Sequence, residues 1–259
     1  MSGKILFDGC SFTADSGFLA EHQRVSHWPQ LLSNHYQTKF DNSAWGGSSN
    51  EEIFNRVVQT TSANSYDLVV VQWSEISRQW IHCSSQNIDD FTIINTGHPK
   101  GYQCDSHEVQ QYAKLHYTYF NNQYVNLKKW LCQGLALAGY LDSKNQPYVF
   151  IKGFENYVSA FTRIEYVAGT GFKNLEDSTK SFLDFDNQPD DYLLDKIKEI
   201  QLLLDNARQL KWLNFDSLSF FDAKTDVADD KWHPGINSNL QLTNQLIAYC
   251  NNNNLLTHD

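Results

Sequence analysis

Short apolar runs and three-to-four-residue apolar spacings take turns along this chain, and the alternation predicts its elements. Lys4-Ile5-Leu6-Phe7, stopped by Asp8-Gly9, has the form of a buried strand in a parallel sheet. Val25, Trp28, Leu31, Leu32 and Tyr36 then mark one face of a helix, with Ser26 a candidate N-cap and Pro29 in the first turn, where its missing N–H does little harm. Phe40 to Ala44 predicts a second strand and Trp45-Gly46-Gly47-Ser48 a tight turn. Ser49-Asn50-Glu51-Glu52 has the capping-box form and opens a helix whose apolar stripe is Ile53, Phe54, Val57 and Val58. Asp67-Leu68-Val69-Val70-Val71-Gln72-Trp73 is β-branched and continuous, as a strand covered on both faces should be. Further on come a long polar-aromatic helix within 108–139, a strand Tyr148-Val149-Phe150-Ile151 and a helix 191–208 carrying Leu193, Ile197, Ile200, Leu203 and Leu204. A strand Trp212-Leu213-Asn214-Phe215 and a helix near 236–250 close the chain.

Five strands alternating with helices predict a three-layer α/β/α sandwich around a five-stranded, mainly parallel sheet of flavodoxin-like type, because parallel neighbours need crossover connections. No linker tract or internal repeat divides the sequence, so residues 1–259 read as one domain. Two insertions, near 80–110 and 155–190, are rich in Asn, Asp, Ser and aromatic residues and could form a lid or substrate wall. Trp73, Trp80, Tyr102 and Phe172 could stack on sugar rings there, although aromatic residues in long loops more often pin local cores. In such sheets ligands sit beyond the carboxyl ends of the strands, which directs attention to the loops after each strand.

Composition narrows the partners. Twenty Lys and Arg against thirty Asp and Glu give a formal charge of −10 and a pI near 5.3, the wrong sign for a sequence-independent nucleic-acid binder. Mean hydropathy is −0.51, and no apolar run approaches the roughly 18 residues of a membrane span. Asp8 interrupts the apolar opening where an export signal would continue, so a cytoplasmic location is expected. Cys10, Cys83, Cys104, Cys132 and Cys250 show neither disulfide-framework nor zinc spacing. His22, His27 and His35 lie five and eight apart, not at the separation of a helical zinc site; no metal is expected. The adjacent acids Glu51-Glu52, Asp89-Asp90 and Asp190-Asp191 suit helix starts better than a glycosidase pair.

Two fragments carry chemistry. In Gly9-Cys10-Ser11-Phe12-Thr13 a serine follows a strand-ending glycine, where it is either an N-cap or a nucleophile presented at the sheet edge. Near the other end, Asp230-Lys231-Trp232-His233-Pro234 lies between the last strand and the last helix. A serine needs a base to take its proton, and an imidazole does this best when a carboxylate holds its tautomer. Asp230 and His233 could meet on one turn. The G-x-S-x-G elbow, the P-loop and the G-x-G-x-x-G fingerprint are all absent.

With both fragments in view, the sequence resembles the SGNH hydrolases, the GDSL-like lipases and esterases, over Phe7 to about Leu246. Block one is similar to Phe7-Asp8-Gly9-Cys10-Ser11-Phe12-Thr13, with Cys10 where the family has Asp. Block two is similar to Asn42-Ser43-Ala44-Trp45-Gly46-Gly47-Ser48-Ser49-Asn50, followed by Arg56, and block five to Asp230-Lys231-Trp232-His233-Pro234. Block three departs: the family's G-x-N-D falls on Gln72-Trp73-Ser74-Glu75, so Ser74 replaces the oxyanion-donating asparagine. The resemblance implies Ser11 as nucleophile, His233 as base, Asp230 as its orienting acid, and an oxyanion hole of Ser11, Gly47 and Ser74. It places Gln72 and Trp73 beside the substrate, with the Gln72 amide an alternative donor. It implies no cofactor and a small acyl ester, in particular an O-acetyl carbohydrate. A catalytically weak or inactive relative, serving as a binding or structural module and even phage-encoded and virion-associated, is the rival; transfer to another alcohol would use the same residues.

Overall fold

Four parallel strands carry the molecule. The structure, a computed structural model, describes residues 3–14, 26–82, 91–94, 107–155, 165–167, 171–173 and 190–256. Strands β1 (Lys4–Asp8), β2 (Lys39–Asn42), β3 (Leu68–Trp73) and β6 (Tyr148–Lys152) form a sheet in the order β2-β1-β3-β6. The register pairs Phe7 with Asn42 and with Val70, and Val71 with Phe150. Helices α1 (Trp28–His35), α2 (Asn50–Ala63), α4 (Gln123–Ser143), α5 (Asp190–Arg208) and α6 (Ile236–Asn252) cover it. Strand alternation sorts the core into two layers. Leu6, Val69, Val71, Trp73 and Phe150 pack with Ile53 and Val57 of α2, Leu127 and Trp130 of α4, and Ile200 and Leu204 of α5. Ile5, Phe7, Val70, Val149 and Ile151 face the other way, onto Trp28 and Leu32 of α1 and Leu242 and Leu246 of α6. The three-layer architecture expected from the sequence is present.

The fifth strand is not. Trp212 joins Phe150 through a single parallel bridge, with Phe150 N–H donating to Lys211 O at 2.8 Å and Leu213 N–H to Phe150 O at 2.9 Å. Beyond Leu213 the Asn214 side chain takes over: its Oδ1 accepts from Lys152 N at 2.7 Å and its Nδ2 donates to Lys152 O at 3.1 Å. A side-chain amide thus satisfies the backbone groups that a longer strand would have paired, and the strand expected over 212–215 shrinks to a bridge.

The long helix expected within 108–139 is also divided, into α3 (His107–Leu115), a π-helical turn over His116–Phe120 and α4. Asn122 sits extended at the start of α4 and accepts from Val125 N–H at 3.1 Å; an asparagine side chain that can cap competes with helix continuation. The insertions contribute two antiparallel pairs, β4 (Gln79–His82) with β5 (Phe91–Ile94), and β7 (Glu165–Val167) with β8 (Gly171–Lys173). The rest of the expected lid segments, with Tyr102, lies outside the described residues, as do Val25, His22 and His98. No helix among the described residues is long and apolar enough to cross a membrane.

Gly153, just past β6, is a point of close approach. A Cβ there would stand 1.9 Å from Gln72 Nε2 and 2.4 Å from the Trp73 carbonyl oxygen. Gly153→Ala is expected to lower unfolding free energy by about 2 kcal/mol or more, since the backbone contact cannot be relieved by a rotamer change; urea denaturation measures it, and an unchanged midpoint would contradict the packing.

Candidate active site

The site begins where β1 ends. Asp8 shares the α2 face of the sheet with Leu6 and is completely buried. Arg56 on α2 grips it through Nη2 to Oδ1 at 2.5 Å and Nε to Oδ2 at 3.2 Å, while Gly9 N–H donates to Oδ1 at 2.6 Å. The same guanidinium donates to Gly9 O at 3.1 Å and to Ser48 Oγ at 3.0 Å. One partly buried cation therefore ties the loop carrying Ser11 to the loop carrying Gly47. Burial pushes the Asp8 carboxyl up to about 6, outweighing the pull of Arg56 and the Gly9 N–H in the other direction.

On the opposite face Gln72 holds the loop from below. Its Oε1 accepts from Thr13 Oγ1 at 3.1 Å, Cys10 Sγ at 3.2 Å and Cys10 N at 3.4 Å, and its Nε2 donates to Trp73 O at 2.6 Å. Thr13 and Ala14 N–H both donate to Cys10 O at 3.0 Å, so Cys10 to Ala14 is one tight turn with Ser11 half-buried on it. The Phe12 carbonyl anchors the turn to α1 by accepting from Trp28 Nε1 at 2.8 Å, with His27 Nε2 at 3.1 Å.

The second loop lies against the first. Asn42 Nδ2 donates to Thr13 O at 2.7 Å, and Trp45 N–H to Gly9 O at 3.2 Å. A Cβ on Gly46 would come 3.9 Å from Ser11 Cβ. Gly47 has a φ of 82°, which an L side chain resists. Ser74 is fully buried; its N–H donates to Asn50 Oδ1 at 2.7 Å, and Asn50 Nδ2 donates to its carbonyl at 3.2 Å. Asn50 thus clamps the turn after β3 to the start of α2. Gln72 and Trp73 are likewise fully buried, and the Trp73 ring packs in the core 5.5 Å from Phe150. Gln72 supports the Ser11 turn, and the Trp73 side chain belongs to the core on the α2 face of the sheet.

The closing loop supplies the imidazole. Ala228 N–H donates to His233 O at 2.8 Å, and Lys231 N–H to Ala228 O at 2.9 Å, with Lys231 at a left-handed φ of 63°. Asp226 fastens the loop to α6, accepting from Asn237 N at 2.9 Å, Ser238 N at 2.8 Å and Ser238 Oγ at 2.6 Å. Asp230 Oδ1 accepts from the N–H groups of Trp232 and His233, both at 3.0 Å, and its Oδ2 is bonded to His233 Nδ1. Burial alone would raise the Asp230 carboxyl, but these donors together hold it below its ordinary value. The His233 ring stands edge-on to Phe12, 5.5 Å between centroids at 88°. Phe12 follows Ser11 directly, so the opening and closing loops meet at this contact.

Three supports were not assigned roles from the sequence: Phe12 as the pedestal under His233, Asn50 as the clamp on Ser74, and Asp226 as the distant cap of α6. Asn50 directly after a helix cap was the available signal; nothing in the spacing pointed to Asp226. Two exposed tryptophans lie on these loops, Trp45 next to Gly46 and Trp232 next to His233 in the sequence. Among the described residues no group of three His, Cys, Asp or Glu could hold a metal ion.

No protein-family model and no curated protein matches the sequence. Solved structures do: the chain is similar to GDSL-family and esterase structures. A lipolytic protein of the G-D-S-L family from Desulfitobacterium hafniense is 11% identical, covering 95% of this chain and 99% of its own, with a TM-score of 0.44. The psychrotrophic esterase EstA from Pseudoalteromonas sp. is 12% identical, over 96% and 97%, with a TM-score of 0.48. An acetyl xylan esterase, AlAXEase, is 11% identical, over 95% and 98%, with a TM-score of 0.45.

The Asp8 carboxyl gives a signed pH effect. Its native value of about 6 lies above its ordinary 3.8, so the folded chain keeps a proton that the unfolded chain has released, and stability falls as pH rises through that window. Comparing urea midpoints at about pH 4 and about pH 7, Asp8→Asn should improve relative to wild type by up to about 3 kcal/mol. A wild-type-to-variant gap that does not move with pH would contradict the assignment.

Proposed function

We propose that this protein is a serine ester hydrolase of SGNH type. The observation that carries the reading is the His233 ring, bonded through Nδ1 to Asp230 and standing on Phe12, the residue next to Ser11. Asp230 fixes the tautomer in which Nε2 accepts a proton, and it stabilises the imidazolium that results. Ser11 Oγ attacks the ester carbonyl as its proton passes to His233 Nε2. The backbone N–H groups of Ser11 and Gly47 receive the negative charge on the carbonyl oxygen, with Ser74 in the position of the family's asparagine. His233 then protonates the leaving alcohol. Water, deprotonated by the same imidazole, releases the carboxylic acid and restores Ser11.

A small acyl group on a carbohydrate is the substrate class we favour. Trp45 and Trp232, 56% and 55% exposed, are amphipathic surfaces of the kind that stack on sugar rings. The second reading, a binding or structural module that retains the fold, is favoured by one observation. Ser74 is wholly buried and held through its backbone by Asn50, and a missing oxyanion donor typically costs about 10² to 10³ in turnover.

Two measurements decide between them. A fluorophosphonate probe should label wild type covalently and leave Ser11→Ala unlabelled; folded wild-type protein that takes up no probe favours the module. On p-nitrophenyl acetate, Asp230→Asn should lower kcat by about 10⁴ by letting the imidazole adopt the wrong tautomer, and wild-type turnover in that variant would remove Asp230 from the mechanism.

A further inference from the structure

Arg78, in the turn before β4, is a nearly buried cation that the reaction above does not use. Its side chain is only 10% exposed. Nη1 donates to the Ser48 carbonyl at 3.4 Å, and the guanidinium carbon lies 5.5 Å from the Phe154 ring centroid. Glu75 Oε2 is 4.0 Å from Nε, beyond hydrogen-bond reach, and the other Glu75 oxygen is engaged by the Ser77 hydroxyl. Arg78 Nε is buried without a hydrogen-bond acceptor. A guanidinium presents five donors in a planar fork, and a buried donor left unmatched is expensive enough that an acceptor is expected to fill it.

The position of this cation matters. Ser48 follows Gly47, the candidate oxyanion glycine. Phe154 stacks on Phe12 at 5.0 Å, and Phe12 carries the His233 ring. Arg78 therefore stands where the oxyanion loop meets the aromatic floor beneath the imidazole. We propose that Arg78 is a specificity-determining residue that binds a carboxylate carried on the ester substrate. Two carboxylate oxygens match Nε and an Nη of the fork, which a single hydroxyl or a spherical ion does not. The chain as a whole, at −10, repels anions at long range, so the preference arises from contact rather than steering. This proposal rests on the ester-hydrolase reading of the same site and names its substrate more narrowly.

The test uses the Ser11→Ala protein, which cannot consume its ligand, titrated calorimetrically with monomethyl succinate and with dimethyl succinate. The monoanion should bind at least about tenfold tighter than the neutral diester, the margin of a charge-assisted bidentate contact. Arg78→Met in the same background should abolish the difference. Arg78→Lys, which keeps the charge and loses the fork, should narrow it and serves as the readout if the methionine variant does not fold. Equal binding of the two ligands, or a preference that survives Arg78→Met, overturns the proposal. Wild-type labelling by fluorophosphonate is scored separately: an anion preference in an unlabelled protein keeps the Arg78 site and removes the hydrolase.

Discussion

A carboxylate with no solvent exposure at the end of a central strand must be neutralised, and the way Arg56 does this for Asp8 sets the geometry of everything around Ser11. Pairing a buried charge returns roughly its desolvation cost and little more, whereas removing one partner costs about 3–5 kcal/mol. The contact therefore adds modestly to net stability and strongly to specificity of arrangement. Because the guanidinium also holds Gly9 O and Ser48 Oγ, the two loops keep one mutual position. Gln72 performs the complementary task on the other face of the sheet, with three acceptor contacts to Cys10 and Thr13. The turn bearing Ser11 is thus clamped from both layers, while its hydroxyl-bearing residue stays half-exposed.

The remaining half of the site arrives from more than two hundred residues away along the chain. Phe12 meets His233 only because β1 occupies an inner position of the sheet and α6 packs on the same face as α1. Trp28 N–H donates to Asn239 Oδ1 at 3.2 Å, and Tyr36 Oη to Asn251 Oδ1 at 2.8 Å, so the first and last helices are stitched together by polar contacts as well as by Leu32 and Leu246. Asp226, by capping α6, fixes the loop from the helix side. The imidazole is consequently referenced to the same face of the sheet as the Phe12 anchor on Trp28.

Much of this was legible in the sequence. The continuous apolar run of β3, the capping box at Ser49 and the spacing of Ile53 and Val57 report local preferences that the tertiary structure satisfies rather than overrides. Asp230 and His233 were legible because they are neighbours in sequence. The features that were missed depend on side chains substituting for backbone. Asn214 ends a strand by imitating one, Asn122 divides a helix by capping it, and Asn50 holds Ser74 from another element. An asparagine looks the same in a sequence whether its amide faces water or completes a ladder, and no periodicity separates the two. Gln72 and Trp73 illustrate a related limit: alternate residues at the end of a parallel strand face opposite layers, and the sequence alone does not say that Gln72 is the one that meets the Ser11 turn.

The Asn214 substitution has a further consequence for how copies of the molecule behave toward one another. A β6 margin with its backbone groups open would invite another chain to add a strand. Here Lys211 O, Leu213 N–H and the Asn214 amide occupy that margin, and the opposite margin, β2, carries Lys39 and Asp41 among its four residues. Both rims of the sheet are thereby protected against edge-to-edge aggregation, one by occupancy and the other by charge, without a barrel closing the sheet on itself.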